Sequence, residues 1–567
     1  MNRIYLSHQQ RMKNIVNMAI LFGTIILLKY FHIQIIGIEN FDENLFATTG
    51  YTKDIKGDRG RIYDRNGVLL AGNITKIDLW VNTQKDFDVA KINRFFEEFY
   101  DLDSNVVSEK LSGSKKKYVA IKKNIIPEDI SRIIKEVQGI KGLNIDKYSQ
   151  RFYPYEEICS QVVGYTNKEG NGRTGIELEF NEILNGKKIK EVFNRSVNSK
   201  WENRDKANFN YELNGKDIYL AIDIKLQEFL YQALVKGQEN SLAKAANGII
   251  VDPLNGDVLA MAGTPSFNPN NFSNYNIERH RNNVISKQYE PGSTIKVIPV
   301  LGAIDAIGTD IKIDCENGEY EIPNTQRVVK DHEAHNLLSI DEVLIHSSNI
   351  GIVKISNILG KEETYSALRK FGLGSKTGIK LPGEENGKIA KLRSWSKTTH
   401  SAVSFGQELS VTDLQLSMIY ASIANNGFLL KPKIVKRIFS PKNSIEFDRV
   451  EIIRQVMEYE DSKILIDMLS SAVSEGTGQN AAISGYEIAG KTGTAEKFVE
   501  GQYSKSDFIS SFAAIFPASD PQYVCVVSVD SPEYHKHWGN ITAAPIAREV
   551  FVEIINNNFL TKKQETT

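Results

Sequence analysis

Cysteine is nearly absent: Cys159, Cys315 and Cys525 are the only three in 567 residues. They are odd in number and far apart, which excludes a disulfide framework, and no CxxC spacing offers a zinc or redox site. Buried thiols are the expectation. Proline, at 15, and glycine, at 40, are too few for collagen-like or low-complexity architecture. Neither sign of charge is in excess: 69 basic and 70 acidic residues leave a net charge of −1. That balance argues against a nucleic-acid partner and against an acidic disordered chain. No internal repeat at a fixed period is present. What remains is an ordinary folded composition, 41% apolar and 25% charged, at a length of roughly three or four domain-sized units.

The amino terminus departs from this average. Residues 1–14 carry Arg3, Arg11 and Lys13 and no acid, and a largely apolar run follows from Ile15 to Leu28. That run alone makes about 21 Å of helix, too short for a hydrocarbon core of roughly 30 Å, but continuing through Ile36 gives about 33 Å. Lys29 near the far end can snorkel to the headgroups, and Glu39, Asp42 and Glu43 lie beyond it. The basic flank predicts a cytoplasmic amino terminus and an exported body. A cleaved signal peptide is the rival reading. The segment FHIQIIGIENF has no A-x-A-like site and no lipobox cysteine follows, so an uncleaved single-pass anchor is expected.

The organisation read from the chain is a cytoplasmic tail at 1–14, a transmembrane helix at 15–36, a pedestal module at 37–215, a catalytic domain at 216–560 and a polar tail at 561–567. In the pedestal, the lysines at 115, 116, 117, 122 and 123 read as a solvated loop followed by a strand edge, with an anionic-polymer or lipid patch as the alternative. From about Lys216 the pattern tightens. Ile218–Ile222 reads as a strand and Ile224–Val235 as an amphipathic helix. Gly248–Val251 and Val258–Met261 flank Pro253-Leu254-Asn255-Gly256, a hairpin signal because Asn and Gly tolerate positive φ. Ser510–Phe516 and Tyr523–Val529 are further apolar strands. Strands first and last with helical segments between predict an α+β fold, an antiparallel sheet covered by a helical subdomain.

Three short segments carry chemistry. Pro291-Gly292 precedes Ser293-Thr294-Ile295-Lys296, and the apolar residues that follow predict a buried helix starting near Ser293. On such a helix Ser293 Oγ and Lys296 Nζ share a face at hydrogen-bond range. A serine hydroxyl needs an adjacent base, and a buried lysine with a lowered pKa can be one. The helix start also offers N–H groups to a developing oxyanion. Pro299, six positions on, predicts a bend or a proline-tolerant start. The second segment is Ser347-Ser348-Asn349. The third is Lys491-Thr492-Gly493-Thr494, where strand alternation puts Lys491 and Gly493 on one face and Thr492 and Thr494 on the other. Gly493 leaves room for a substrate backbone along that edge. Each segment alone is as readily a solvated lysine, a helix cap or a strand edge; their combination in this order is not.

The set resembles the penicillin-binding protein and serine β-lactamase superfamily. RGRIYDRNGVLLA at 59–71, RFYPYEEICSQVVGY at 151–165 and GRTGIELEFNEILNG at 172–186 are similar to the amino-terminal motifs of class B penicillin-binding proteins. VDPLNGDVLAMAGTPSFNPN, SFGQELSVTDLQLSMIYASIANNG and AGKTGTAEK are similar to their transpeptidase segments. Within that class, EPGSTIK, SSNIGIVKIS, FGLGSKTGI and the Asn349 of the second motif resemble the division-specific FtsI type. The resemblance implies an antiparallel sheet with helices on both faces, an all-helical subdomain and a membrane-anchored D,D-transpeptidase that needs no metal or organic cofactor. It implies that Ser293 attacks the penultimate D-alanine of a peptidoglycan pentapeptide stem and that Lys296 takes the serine proton. Ser347 would relay that proton with help from Lys491, and Asn349 would hold the substrate amide. Thr492 and Thr494 would hold the carboxylate beside Gly493, and the N–H groups of Ser293 and Thr494 would form the oxyanion hole. β-Lactams would be trapped as acyl-enzymes. Implied partners are the cytoplasmic membrane, an FtsW-type glycosyltransferase and other division proteins. Alternatives are an elongation- or sporulation-specific transpeptidase, a D,D-carboxypeptidase or β-lactamase, and a non-catalytic wall scaffold or β-lactam sensor.

The histidines read as bystanders. His332 and His335 are one residue short of H-E-x-x-H spacing and lack a third ligand. His535 and His537 can share a strand face but fall short of zinc's three or four ligands. His346, beside Ser347, carries no role.

Overall fold

The computed structural model describes residues 2–31, 50–112, 116–195, 201–202, 213–499 and 501–561. The chain forms two compact units, Met1–Lys56 with Lys188–Glu212, and Gly57–Lys187 with Leu213–Thr567. The residues expected to make one pedestal therefore divide between the two.

In the first unit, Asn2–Phe31 is one helix. Its Gln10–Phe31 stretch has 22 residues and is long and apolar enough to cross a membrane. Residues 32–36 of the expected span lie outside the described residues. The strands Gly50–Lys56, Lys188–Arg195 and Trp201–Glu202 form a three-stranded antiparallel sheet.

The second unit joins the remaining amino-terminal segments to the carboxy-terminal part by a shared sheet. Ile62–Tyr63 pairs in parallel with Asp217–Leu220, which pairs antiparallel with Val435–Ser440. The long strand Leu69–Asn82 continues from Ile62–Tyr63 and pairs with Tyr118–Ile125 and Leu143–Phe152. Lys122 and Lys123 fall on the Tyr118–Ile125 strand, and residue 115 lies outside the described residues. A buried charge cluster explains the three amino-terminal motifs. Glu177, fully buried, accepts from Arg59 Nε and Arg151 Nε at 2.6 Å each and from the Tyr153 hydroxyl at 3.2 Å. A carboxylate withdrawn from water persists only when paired and hydrogen-bonded, so RGRIYDRNG, RFYP and GIELE depend on one another.

The carboxy-terminal part is built on helix α1, Ile224–Ser241, and strands β1, Ala245–Val251, and β2, Val258–Thr264. Asp223 caps α1 by accepting from the Lys225 and Leu226 amides. The β1–β2 connection is a hairpin, but Asn255 and Gly256 do not form a two-residue turn. The six-residue link closes through Asp252 N to Asp257 O and Gly256 N to Asp252 O, each 2.9 Å, with positive φ at Gly256 alone of the pair. The intervening helices include α2, Val297–Ile307, α3, Ile340–Ile345, α4, Asn349–Leu359, α5, Asp413–Ala424, and α6, Tyr459–Ser474. Short two-stranded ribbons such as Lys312–Asp314 with Leu337–Ser339 accompany them. Strands β3, Ala489–Val499, β4, Gln502–Phe516, and β5, Tyr523–Asp530, precede the last helix, α7, Ala543–Asn556.

The five strands form one antiparallel sheet in the order β2-β1-β5-β4-β3. Their apolar residues alternate between two cores. Ile249, Val251, Ala513, Ile515, Val524 and Val526 join the core that contains α2, α4 and α5. Ala246, Ile250, Phe512, Ala514, Phe516, Cys525 and Val527 join the core under α1 and α7. Burial on both faces explains why these strands read as continuous apolar runs. Cys159, Cys315 and Cys525 are buried free thiols.

Candidate active site

Ser293 lies on a 3-10 turn, Gly292–Lys296, that leads directly into α2. The expected regular helix therefore begins four residues later, at Val297. Pro299 is the third residue of α2, in the first turn, where no intrahelical N–H partner is required. A 3-10 turn stacks residues i and i+3, which places Ser293 and Lys296 one above the other. Gly292 sits at φ +55°, and a Cβ there would lie 3.1 Å from Thr494 O and 3.5 Å from Thr494 N. The β3 backbone thus passes against the turn that carries Ser293. Tyr420 of α5 anchors the middle of the turn, its hydroxyl donating to Thr294 O at 2.9 Å. Upstream, the Tyr289 hydroxyl donates to buried Asp413 at 2.7 Å, and Ser528 of β5 donates to the other carboxylate oxygen at 2.9 Å. Burial raises Asp413 to about 6 against the pull of those two donors.

Lys296 is fully buried. Its ammonium nitrogen lies 2.6 Å from Ser347 O, 2.8 Å from Asn349 Oδ1 and 3.3 Å from Ser347 Oγ. The sequence expectation of a Ser293–Lys296 hydrogen bond is not what this geometry shows. Among the described residues Lys296 is held by the second motif, and Ser293, partly exposed, makes no side-chain hydrogen bond. Burial lowers the Lys296 pKa to about 7, and the Asp331 charge opposes that shift. Lys491 is also fully buried, 3.1 Å from Thr477 Oγ1. Burial, and then repulsion from Lys296, push its pKa well below the usual lysine range. Two buried amines within Coulombic reach are costly to keep, and such perturbed groups cluster at functional sites.

The second motif is a turn between α3 and α4. Ser347 adopts a left-handed conformation, φ 59°, a strained choice for a non-glycine residue. Ser348 caps α4 through Gly351 N, 2.8 Å. Asp331 holds the turn from outside: its carboxylate accepts from Ser348 Oγ and from the Asn349 and Ile350 amides. Asn349 Nδ2 donates to Lys330 O at 3.0 Å. Its carboxamide keeps one lone pair and one N–H for a ligand.

On β3, an edge strand, Thr492 Oγ1 donates to Thr477 Oγ1 at 3.0 Å, and Thr494 Oγ1 accepts from Gly539 N at 3.1 Å. Gly493 is required for packing. A Cβ there would lie 2.5 Å from Ser511 Oγ and 2.6 Å from Pro291 O. Gly493→Ala should therefore push β3 off the turn that carries Ser293, at the cost of about 1–3 kcal/mol typical of overpacking. A lowered thermal midpoint is expected in melting measurements; a wild-type midpoint would contradict this packing role.

Sequence reading missed Asp331, Thr477 and Asp413. Thr477 sits in Gly476-Thr477-Gly478 just past α6, a turn signal with no marked chemistry. Asp331 lies in the loop ahead of the second motif. His535 and His537 do not share a strand: Tyr534–Lys536 is a 3-10 turn, and His537 is buried, stacked on Phe508 at 4.2 Å.

The chain belongs to the penicillin-binding protein family, as a class B peptidoglycan D,D-transpeptidase. Residues 247–552 match the penicillin binding protein transpeptidase domain, and residues 54–220 match the penicillin-binding protein dimerisation domain. It is 30% identical over 514 residues to the probable peptidoglycan D,D-transpeptidase PenA of Neisseria meningitidis, covering 89% of this chain and 85% of that one. It is 29% identical over 546 residues to the stage V sporulation protein D of Bacillus subtilis, covering 94% and 84%. Among solved structures it resembles penicillin-binding protein 3 of Mycobacterium tuberculosis complexed with aztreonam. The TM-score is 0.67 at 25% identity, covering 90% of this chain and 98% of that one.

Proposed function

We propose that this transpeptidase cross-links peptidoglycan stems at the division septum, through an acyl-enzyme on Ser293. The observation that carries the site assignment is the fully buried Lys296, held by Ser347 and Asn349 and stacked three residues from partly exposed Ser293. In this reading Ser293 Oγ attacks the carbonyl of the penultimate D-alanine, and its proton passes to neutral Lys296. The N–H groups of Ser293 and Thr494 stabilise the oxyanion, supported by the close approach of Thr494 to Gly292. Ser347, within reach of Lys296, returns the proton to the departing D-alanine amine. Thr492 and Thr494 bind the terminal carboxylate beside Lys491 and Gly493. An amine from a neighbouring stem then resolves the acyl-enzyme, and a β-lactam mimicking D-Ala-D-Ala acylates Ser293 in the same way.

The apolar part of the Gln10–Phe31 stretch, from Ile15 on, serves as the membrane anchor, with Arg3, Arg11 and Lys13 ahead of it keeping the amino terminus cytoplasmic and the catalytic residues outside. An FtsW-type glycosyltransferase and other division proteins are the proposed partners. The septal role is supported by the likeness of EPGSTIK, SSNIGIVKIS and FGLGSKTGI to division-specific enzymes. Imaging a tagged full chain tests it: a midcell band is expected, while a sidewall or forespore pattern assigns elongation or sporulation instead. Rapid steady-state penicillin hydrolysis would point to a β-lactamase.

The pH dependence follows from Lys296. Only its neutral form accepts a proton, so the acylation rate should rise through pH 7 on the acid side. The charged groups facing it are Lys491 and Asp331. Because the Asp331 charge holds the Lys296 pKa up, Asp331→Asn should move that limb to lower pH. A limb that stays in place or moves up contradicts the assignment of Lys296 as base.

A further inference from the structure

We propose that Glu333, His335 and His346 form a site for one zinc-like divalent transition-metal ion, which clips the Asp331 loop to the turn bearing Ser347. The three side chains come from two elements. Glu333 and His335 lie in the loop between the strands Val328–Lys330 and Leu337–Ser339, and His346 caps the carboxyl end of α3. One ligand atom from each lies within 4.8 Å of the other two. The imidazoles of His335 and His346 are 4.6 Å apart between centroids and tilted by 37°. His335 Nε2 is shielded from solvent, has no hydrogen-bond partner and lies 3.8 Å from Glu333 Oε2. A buried ring nitrogen left without a partner is unfavourable, and a cation between it, His346 and Glu333 satisfies it. The third ligand that the His332–His335 stretch lacks in sequence is thus supplied from eleven residues further along the chain.

The donor set selects the ion. Two imidazoles and one carboxylate suit zinc and its neighbours, whereas magnesium and calcium prefer oxygen alone. Bonds of about 2.1 Å in tetrahedral geometry put donor atoms roughly 3.4 Å apart. Glu333, exposed on its loop, can close that difference. Three protein ligands leave a fourth position for water. The same loop carries Asp331, whose carboxylate holds the Asn349 and Ile350 amides, and His346 is bonded directly to Ser347. A bound ion therefore ties together the two segments that present the second motif.

The test uses the untagged full chain in detergent, freed of metal with chelator and titrated with Zn²⁺ alone and with Co²⁺ alone. One Zn²⁺ per chain is expected, with intense visible Co²⁺ absorption of four- or five-coordinate geometry and a rise of about 2–4 °C in thermal midpoint at saturating Zn²⁺. Glu333→Gln and His335→Ala should weaken binding by roughly a hundredfold and abolish the rise. Under chelator both should still be acylated by fluorescent penicillin at the wild-type rate, showing that they fold. His535→Ala should leave binding unchanged. No Zn²⁺ bound by the wild type, or equal binding in His335→Ala, overturns the proposal.

Discussion

Lys296→Met should lose penicillin acylation by roughly 10³–10⁴-fold, equivalent to about 4–5 kcal/mol of barrier, while the protein becomes no less stable. The two effects come from one feature. Lys296 is fully buried and its pKa falls to about 7, so keeping the amine in the folded protein costs about 4 kcal/mol near neutral pH relative to the unfolded chain. The substitution removes that cost and forfeits the hydrogen bonds to Ser347 O and Asn349 Oδ1, worth about 1–3 kcal/mol together. The balance favours the variant. The sign with pH is also fixed. Between pH 7 and the ordinary lysine range the unfolded chain holds a proton that the folded Lys296 does not. Wild-type stability therefore rises with pH there. Lys296→Met should flatten that rise by one proton and leave the part due to Lys491. Denaturant midpoints from pH 7 to 9, beside acylation rates, measure both. A variant that is inactive because it unfolds would contradict this account.

Glu177→Ala should be the most damaging single change to stability away from the active site, by about 3–5 kcal/mol. It leaves the side chains of Arg59 and Arg151, 6% and 5% exposed, buried and without their carboxylate. Asn181, Asn185 and the Gly170 and Glu177 carbonyls still accept from Arg59, and Asn73 and Gly60 O from Arg151. The guanidinium charges nonetheless stay uncompensated. Glu177→Gln keeps one strong acceptor and should cost less. Urea unfolding of the full chain in detergent should show the order wild type, Glu177→Gln, Glu177→Ala; an Ala variant within 1 kcal/mol of wild type, roughly the value of a surface pair, would show the cluster to be dispensable.

The sheet and the three motif segments were legible because each depends on local pattern. Continuous apolar runs marked β1, β2, β4 and β5, and the apolar face of Ile224–Val235 marked α1. The site's fine geometry was not legible, because it is set by contacts between distant parts of the chain. A regular helix at Ser293 predicts a Ser293–Lys296 bond, but the 3-10 turn and the αL conformation of Ser347 give Lys296 to Ser347 and Asn349 instead. Gly493 suggested an open strand edge; Pro291, 202 residues earlier, occupies the space its Cβ would fill. Asp331 and Thr477 carry no motif of their own and gain a role only where the fold sets them against Asn349 and Lys491. The Glu177 cluster was visible only as three separate resemblances.

Every catalytic role proposed above depends on acylation of Ser293. Intact-protein mass spectrometry of the full chain after exposure to benzylpenicillin, followed by peptide mapping, tests it directly. One added penicilloyl group per chain is expected on the peptide containing Ser293, and none in Ser293→Ala. An adduct on another residue, or an equal adduct in Ser293→Ala, would contradict it.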